Sequence, residues 1–189
     1  LSQKPFVLDL KEGKKLAELA DQKRVKLAVN QNGRWAPHFC YIRNAVKQGL
    51  IGEVTSIDFS LQWDQTWIQS IPSFEEMKHL ILFDFAIHWF DITACIMGGQ
   101  KPRSIFASVT RHAGQVFKPP ALASVLIKYP ETQVSMSFNA HCTRGEEDVT
   151  TVVGTEGTLR SRGPGLNEQS RMDRLKGFGS GVIFLGYWA

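Results

Sequence analysis

The chain reads as an α+β protein: a large, mostly antiparallel open sheet with helices on one face, preceded by the remnant of an α/β domain. Three observations predict this. From residue 104 onward, short runs alternate apolar and polar residues (104–112, 121–129, 133–141, 149–153 and 158–160). Turn-formers such as Pro130-Glu131-Thr132 and Gly154-Thr155-Glu156-Gly157 separate some of them, as expected for strands joined by hairpins. Ahead of these strands a long helix is expected over 74–97, apolar from 81 to 96, and it stops at Gly98-Gly99. At the start, residues 4–9, 12–22 and 25–29 read as strand, helix and strand, with a helix long enough for a parallel crossover.

Two parallel strands cannot form a domain alone. Residues 1–34 are therefore expected to be the end of an α/β domain whose beginning is absent, and 35–189 a second domain. In the first helix, Leu16, Leu19 and Ala20 repeat at helical spacing. Pro37 suits the first turn of the next helix, 38–47, whose stripe is Phe39, Ile42 and Val46. Gly49 ends it and Gly52 turns the chain into a strand at 54–63. There Ile57, Phe59, Leu61 and Trp63 share one parity, and Ser56, Asp58, Ser60 and Gln62 the other. Residues 64–74 form a loop with Trp67, Ile68 and Pro72, expected to shape a pocket together with the chain after Gly163. In the later hairpin, Val134, Met136 and Phe138 oppose Ser135 and Ser137, while Leu122, Ser124 and Leu126 oppose Ala123, Val125 and Ile127. One sheet face is strongly apolar. The other is mixed and lightly charged, suited to another subunit or to solvent. The tail turns apolar again at 182–188, as an edge strand or a stub.

Composition narrows the class. With 43% apolar and 21% charged residues among 189, the chain is a globular protein able to bury one good core. No uncharged apolar run reaches the roughly 18 residues of a membrane span, and no apolar segment follows the N-terminus as in a secretory signal. Cys40, Cys95 and Cys142 are scattered, odd in number and without CxxC spacing, as expected of reduced thiols in the cytoplasm. The net charge of +4 comes from basic residues interleaved with acidic ones, which argues against nucleic acid as a partner.

Three places carry candidate chemistry. Lys4 precedes Pro5, which biases it toward extended backbone and holds the ammonium in place; an ordinary surface lysine is the alternative. Asn30 to Trp35 follow a strand, where ligands of open α/β sheets bind, or else form a plain polar turn. If Lys4 begins its strand, these two places need not share a sheet end. Third, Asp84 and His88 lie four apart in the apolar run, on one helical face. An imidazole there can exchange a proton near neutrality, with a carboxylate to orient it. Asp91 is an alternative orienter, and a structural His–Asp pair is the bland alternative. The five histidines form no HExxH or zinc-finger set, and no metal is expected. GxSxG, GxGxxG and Walker motifs are absent.

Lys4-Pro5, Asn30-Gln31-Asn32-Gly33-Arg34-Trp35-Ala36-Pro37, Gly49-Leu50-Ile51-Gly52, Asp84-x-x-x-His88-x-x-Asp91 and Gly154-Thr155-Glu156-Gly157 occur in this order. The ordered set resembles the Gfo/Idh/MocA family of NAD(P)-dependent sugar and polyol oxidoreductases. The resemblance implies a Rossmann domain, here reduced to its last part in 1–34, and a substrate-binding and oligomerisation domain in 35–189. It implies NAD or NADP as cofactor, with Lys4, Pro5, Asn32 and Arg34 bordering it, and a sugar or polyol substrate. His88 would be the acid/base, with Lys4 and Asp84 assisting. Trp35 and Trp89 would line the cleft or simply pack. The resemblance also implies a homodimer or homotetramer through the sheet face. Gln3 departs from the family's glutamate, and the glycine-rich nucleotide loop is missing. The chain by itself is thus expected to bind NAD(P) poorly and to be inactive. The alternatives are a non-catalytic dimerisation or carbohydrate-binding module of the same descent, and a metal-assisted lyase, for which the sequence offers no donor set.

Overall fold

A computed structural model describes residues 1–162 and the short strand Phe184–Gly186. The rest of the tail after Gly163, expected to shape a pocket, lies outside the described residues.

The chain begins with β1 (Ser2–Gln3), α1 (Leu10–Gln22) and β2 (Val29–Asn30), and the two strands pair in parallel, Ser2 with Val29 and Gln3 with Asn30. The first strand therefore lies before Lys4, not over 4–9. Pro5 has no N–H to give a ladder, and pairing stops at Gln3. Phe6 and Val7 instead turn onto α1 at Gly13, where any Cβ would lie 2.7 Å from a Val7 methyl. Asp9 caps α1, its Oδ1 accepting from the amides of Lys11 (2.7 Å) and Glu12 (3.2 Å). Of the expected α1 stripe only Ala20 is buried; Leu16 and Leu19 are exposed.

A 3-10 turn, Asn32–Trp35, leads into α2 (Pro37–Lys47), which buries Phe39, Ile42 and Ala45 and only half-buries Val46. Strand β3 (Val54–Gln62) follows with Ile57, Phe59 and Leu61 inward, as its alternation requires. A 3-10 turn, Thr66–Ser70, and a single helical turn α3 (Pro72–Glu75) come next. The long helix expected over 74–97 is broken. Its ordered part is a π-helical turn, Ile81–Phe85, running into α4 (Ile87–Ile96). The amide of Ala86 donates to the carbonyl of Ile81, five residues back, at 2.8 Å. Apolar residues occupy every side of this run, so periodicity held no trace of the extra residue.

The strands β4 (Ser104–Thr110), β5 (Leu122–Lys128), β6 (Gln133–Asn139), β7 (Glu147–Gly154), β8 (Thr158–Arg162) and β9 (Phe184–Gly186) join β3 in one sheet of order β4-β5-β6-β3-β7-β8-β9. All pairs are antiparallel except β3 with β6. The helical segment carries the chain from β3 to the far edge, and a meander returns it to β3 from the other side. Within the apolar end of the tail, Phe184–Gly186 forms the edge strand. The helices cover one face, over a core of Phe39, Ile57, Phe59, Trp89, Ile92, Met136 and Phe138. The opposite face carries Asp58, Ser124, Ser135 and Ser137, with Ser135 Oγ donating to the Asp58 carboxylate. On it Phe106 stands across from Leu126, 66% and 41% exposed.

Two glycine turns lock together at the end of the β3–β7 pair. The amides of Thr155 and Glu156 donate to the carbonyls of Glu53 and Ile51, each at 2.9 Å. Thr155 Oγ1 accepts from the Glu53 amide at 3.1 Å. Gly52 has φ +68°, a conformation that favours glycine.

Candidate active site

Because β1 and β2 are parallel and Lys4 follows β1, Lys4 and the Asn30–Trp35 segment lie at the same carboxyl end of the strands. The expectation that Lys4 begins its strand is corrected by this register. Gln3 holds the two together, its Oε1 accepting from Asn30 Nδ2 at 3.2 Å. A neutral amide suffices for that contact.

From there Lys4 reaches the π-turn. Its Nζ donates to Asp84 Oδ2 at 2.9 Å and to the Asp84 main-chain carbonyl at 2.8 Å. The pair is mostly shielded from water, so the attraction is weakly screened. Phe85 adds a ring whose centroid lies 6.0 Å from the ammonium. Pro5 is half-buried beside Lys4.

His88 is buried on the first turn of α4. Its Nδ1 has no hydrogen-bond partner among the described residues, so Asp84 does not clamp that nitrogen. The imidazole pKa falls from 6.5 to about 4, because burial disfavours the cation and the Lys4 charge adds to the effect; Asp84 and Asp91 oppose it. His88 is therefore neutral at pH 7 and able to take a proton.

The pKa gap sets a pH dependence of stability. Between pH 6.5 and 4 the unfolded chain binds a proton at His88 and the native chain does not. Stability therefore falls as pH drops through this window, by up to about 3 kcal/mol from this group. Half-buried His38, also lowered to about 4, acts in the same direction. Urea unfolding at pH 7.5 and 4.5 is expected to show the fall, and His88→Gln to flatten it. An unchanged slope in His88→Gln would refute the assignment.

Arg34 does not hang free over the cleft. Its Nε donates to Asp91 Oδ2 at 2.9 Å and its Nη2 to Oδ1, a two-pronged pair tying the 3-10 turn to α4. The hydrogen-bonded carboxylate raises the Arg34 pKa. Asp91 is thereby engaged by Arg34, and its proposed service to His88 is not what the geometry shows. Arg43 Nη2 donates to the Arg34 carbonyl at 2.5 Å, and its guanidinium lies 5.5 Å from the Trp35 ring. Asn32 and Trp35 are exposed on the same turn. Trp89 packs: it is 2% exposed, with Trp63 at 5.1 Å and Phe138 at 5.7 Å between ring centroids.

The aromatic group of Trp63, Trp67, Phe74 and Phe85, of which Phe85 neighbours the Lys4 ammonium, was not a sequence candidate as a cluster. Its only sequence sign was Trp67 in a loop. Among the described residues, no group of three or more His, Cys, Asp or Glu side chains can hold a metal ion.

Residues 39–160 match the family model described as the GFO/IDH/MocA C-terminal domain, and the chain belongs to that family. It is similar to a D-apiose dehydrogenase of Rhizobium rhizogenes, 24% identical over 165 residues, covering 85% of this chain and 47% of that protein. It is also similar to an inositol 2-dehydrogenase of Rhizobium meliloti, 25% identical over 163 residues, covering 83% and 48%. The chain thus spans about half the length of the curated relatives it matches. Its fold superimposes with TM-score 0.75 on an oxidoreductase from Agrobacterium radiobacter in complex with NAD+, L-tartaric acid and magnesium. That match has 23% identity and covers 85% of this chain and 49% of the other.

Proposed function

We propose that this chain is the substrate-binding half of an NAD(P)-dependent dehydrogenase or reductase acting on a sugar, polyol or related hydroxyl or carbonyl compound. Residues 1–34 end the nucleotide-binding domain, and residues 35–189 form the substrate and oligomerisation domain. The observation that carries the reading is a lysine ion-paired to Asp84 one helical turn from a buried, neutral histidine. The names of the relatives, an apiose and an inositol dehydrogenase, support the substrate class.

The residues present fit the nicotinamide end of such a cofactor. Lys4, Pro5 and the Asn32–Trp35 turn, with Arg34 fixed by Asp91, gather at the carboxyl ends of parallel strands. The glycine loop that cradles a pyrophosphate is not in this sequence. When bound, the nicotinamide supplies or accepts the hydride. The chain's own residues do the rest. In oxidation, neutral His88 takes the hydroxyl proton. The Lys4 ammonium, held in place by the Asp84 carboxylate and carbonyl, stabilises the negative charge developing on the substrate oxygen. In reduction Lys4 polarises the carbonyl, and the protonated fraction of His88, small at pH 7 and growing toward pH 4, returns the proton.

The open sheet face, with Phe106 and Leu126 exposed among serines, is the surface for a homodimer or homotetramer. The described cysteines are free, which fits the cytoplasm. Among the described residues no helix is long and apolar enough to cross a membrane.

The test is calorimetric titration with NADH and NADPH of this chain and of the chain joined to a nucleotide-binding domain. The reading expects micromolar binding, and oxidation of sugars or polyols, in the joined protein only. A joined protein that binds NADH yet oxidises none of them would instead support a carbohydrate-binding module.

A further inference from the structure

The loop between β3 and α3 is built to display one indole. Ile68 is fully buried and pins the Thr66–Ser70 turn to the core. Asp64 Oδ1 accepts from the Thr66 amide at 3.0 Å, and Ser70 Oγ donates to the Trp67 carbonyl at 2.6 Å. Trp67 itself remains 43% exposed, although its large apolar ring gains from burial. Phe74 at 5.8 Å and Phe85 at 6.4 Å fix the ring from the side in tilted and edge-on contacts. Phe85 is also the ring beside the Lys4 ammonium. Phe85 thus neighbours both the charged pair and the partly exposed indole.

We infer that Trp67 is the stacking wall of the substrate site and favours ring-shaped polyols and sugars over open-chain ones. The inference rests on the dehydrogenase reading for placing the reacting hydroxyl at Lys4. A sugar or cyclitol ring has a persistent face of C–H groups and a rim of hydroxyls. The C–H face buries apolar area on the indole while a rim hydroxyl meets Lys4. An open-chain polyol has no lasting flat face, and each of its C–C rotors must be frozen to make one. Pinned backbone around Trp67 keeps the wall in place before the ligand arrives.

The test uses the full chain, alone and joined to a nucleotide-binding domain. Saturation-transfer NMR is run with myo-inositol and methyl β-D-glucoside as ring probes and sorbitol as the open-chain probe. Ring C–H protons are expected to receive saturation from aromatic protons. Trp67→Leu is expected to weaken the ring probes about tenfold while Trp67→Phe keeps most of their affinity. Sorbitol is expected to shift less than about twofold in either variant. Both variants retain an apolar side chain, and circular dichroism confirms their fold. Equal loss for sorbitol, no loss for the ring probes, or no binding of either ring probe overturns the inference. NAD-coupled turnover is followed in the same joined proteins. Trp67-dependent binding without turnover overturns the dehydrogenase reading and leaves the wall in place. Turnover of a ring substrate untouched by Trp67→Leu overturns the wall and leaves the dehydrogenase.

Discussion

Replacing His88 by asparagine is expected to lower kcat by about 10²- to 10⁴-fold in the chain joined to a nucleotide-binding domain, the range lost when a positioned proton acceptor is removed. Asparagine keeps polarity and can hydrogen-bond, but it has no basic nitrogen. The imidazole is already neutral at pH 7, so the wild type has nothing to deprotonate before it acts. The loss should therefore fall on kcat with NADH affinity unchanged. Lys4→Met should also depress kcat, because it removes the charge that the proposed mechanism sets against the substrate oxygen and leaves Asp84 without its partner. Steady-state kinetics over pH 5 to 9 check both. An H88N enzyme that loses only KM would move His88 from proton transfer to substrate binding. An unaffected enzyme would end its role altogether.

The second large effect is on folding. Gly154→Ala should cost about 3 kcal/mol, at the upper end for an overpacked site. A Cβ at residue 154 would stand 2.0 Å from the Ile51 carbonyl oxygen and 2.9 Å from its carbon. These are backbone atoms and cannot rotate away. The Ile51 carbonyl is also the acceptor for the Glu156 amide, so moving it breaks the lock between the two turns. The same turn supplies a control. At Gly157 the nearest atom to an added Cβ is a methyl carbon of Ile51 at 3.4 Å, ordinary contact. Gly157→Ala should therefore stay within about 1 kcal/mol of the wild type. Urea unfolding of both variants measures the difference. Equal midpoints would mean that the two turns do not meet as described.

In the sequence both glycines mark a turn, as part of one of the motifs that carry the family resemblance. What made one of them intolerant of a side chain was a segment 100 residues away in the chain, and no local pattern records that. The candidate site divides in the same way. Asp84 and His88 were conspicuous because ionisable groups interrupt an apolar run. Their spacing did not record what Asp84 meets. The π-turn presents the Asp84 carbonyl and carboxylate together to Lys4. Arg34 and Asp91 were each singled out, but their pairing depends on how the 3-10 turn packs on α4.

The amino-acid sequence alone determined the α+β class, the strands from β3 to β8 to within a few residues, and the inward parity of Ile57, Phe59, Leu61, Val134, Met136 and Phe138. Period-two alternation is a local property, and burial of one face follows directly from it. Only the tertiary structure decided that β3 pairs in parallel with β6, that Lys4 stands at the carboxyl end of β1, and that Phe85 touches both the Lys4 ammonium and the half-exposed Trp67 ring. These depend on which distant segments satisfy one another's backbone hydrogen bonds and apolar faces, a choice that the fold makes as a whole.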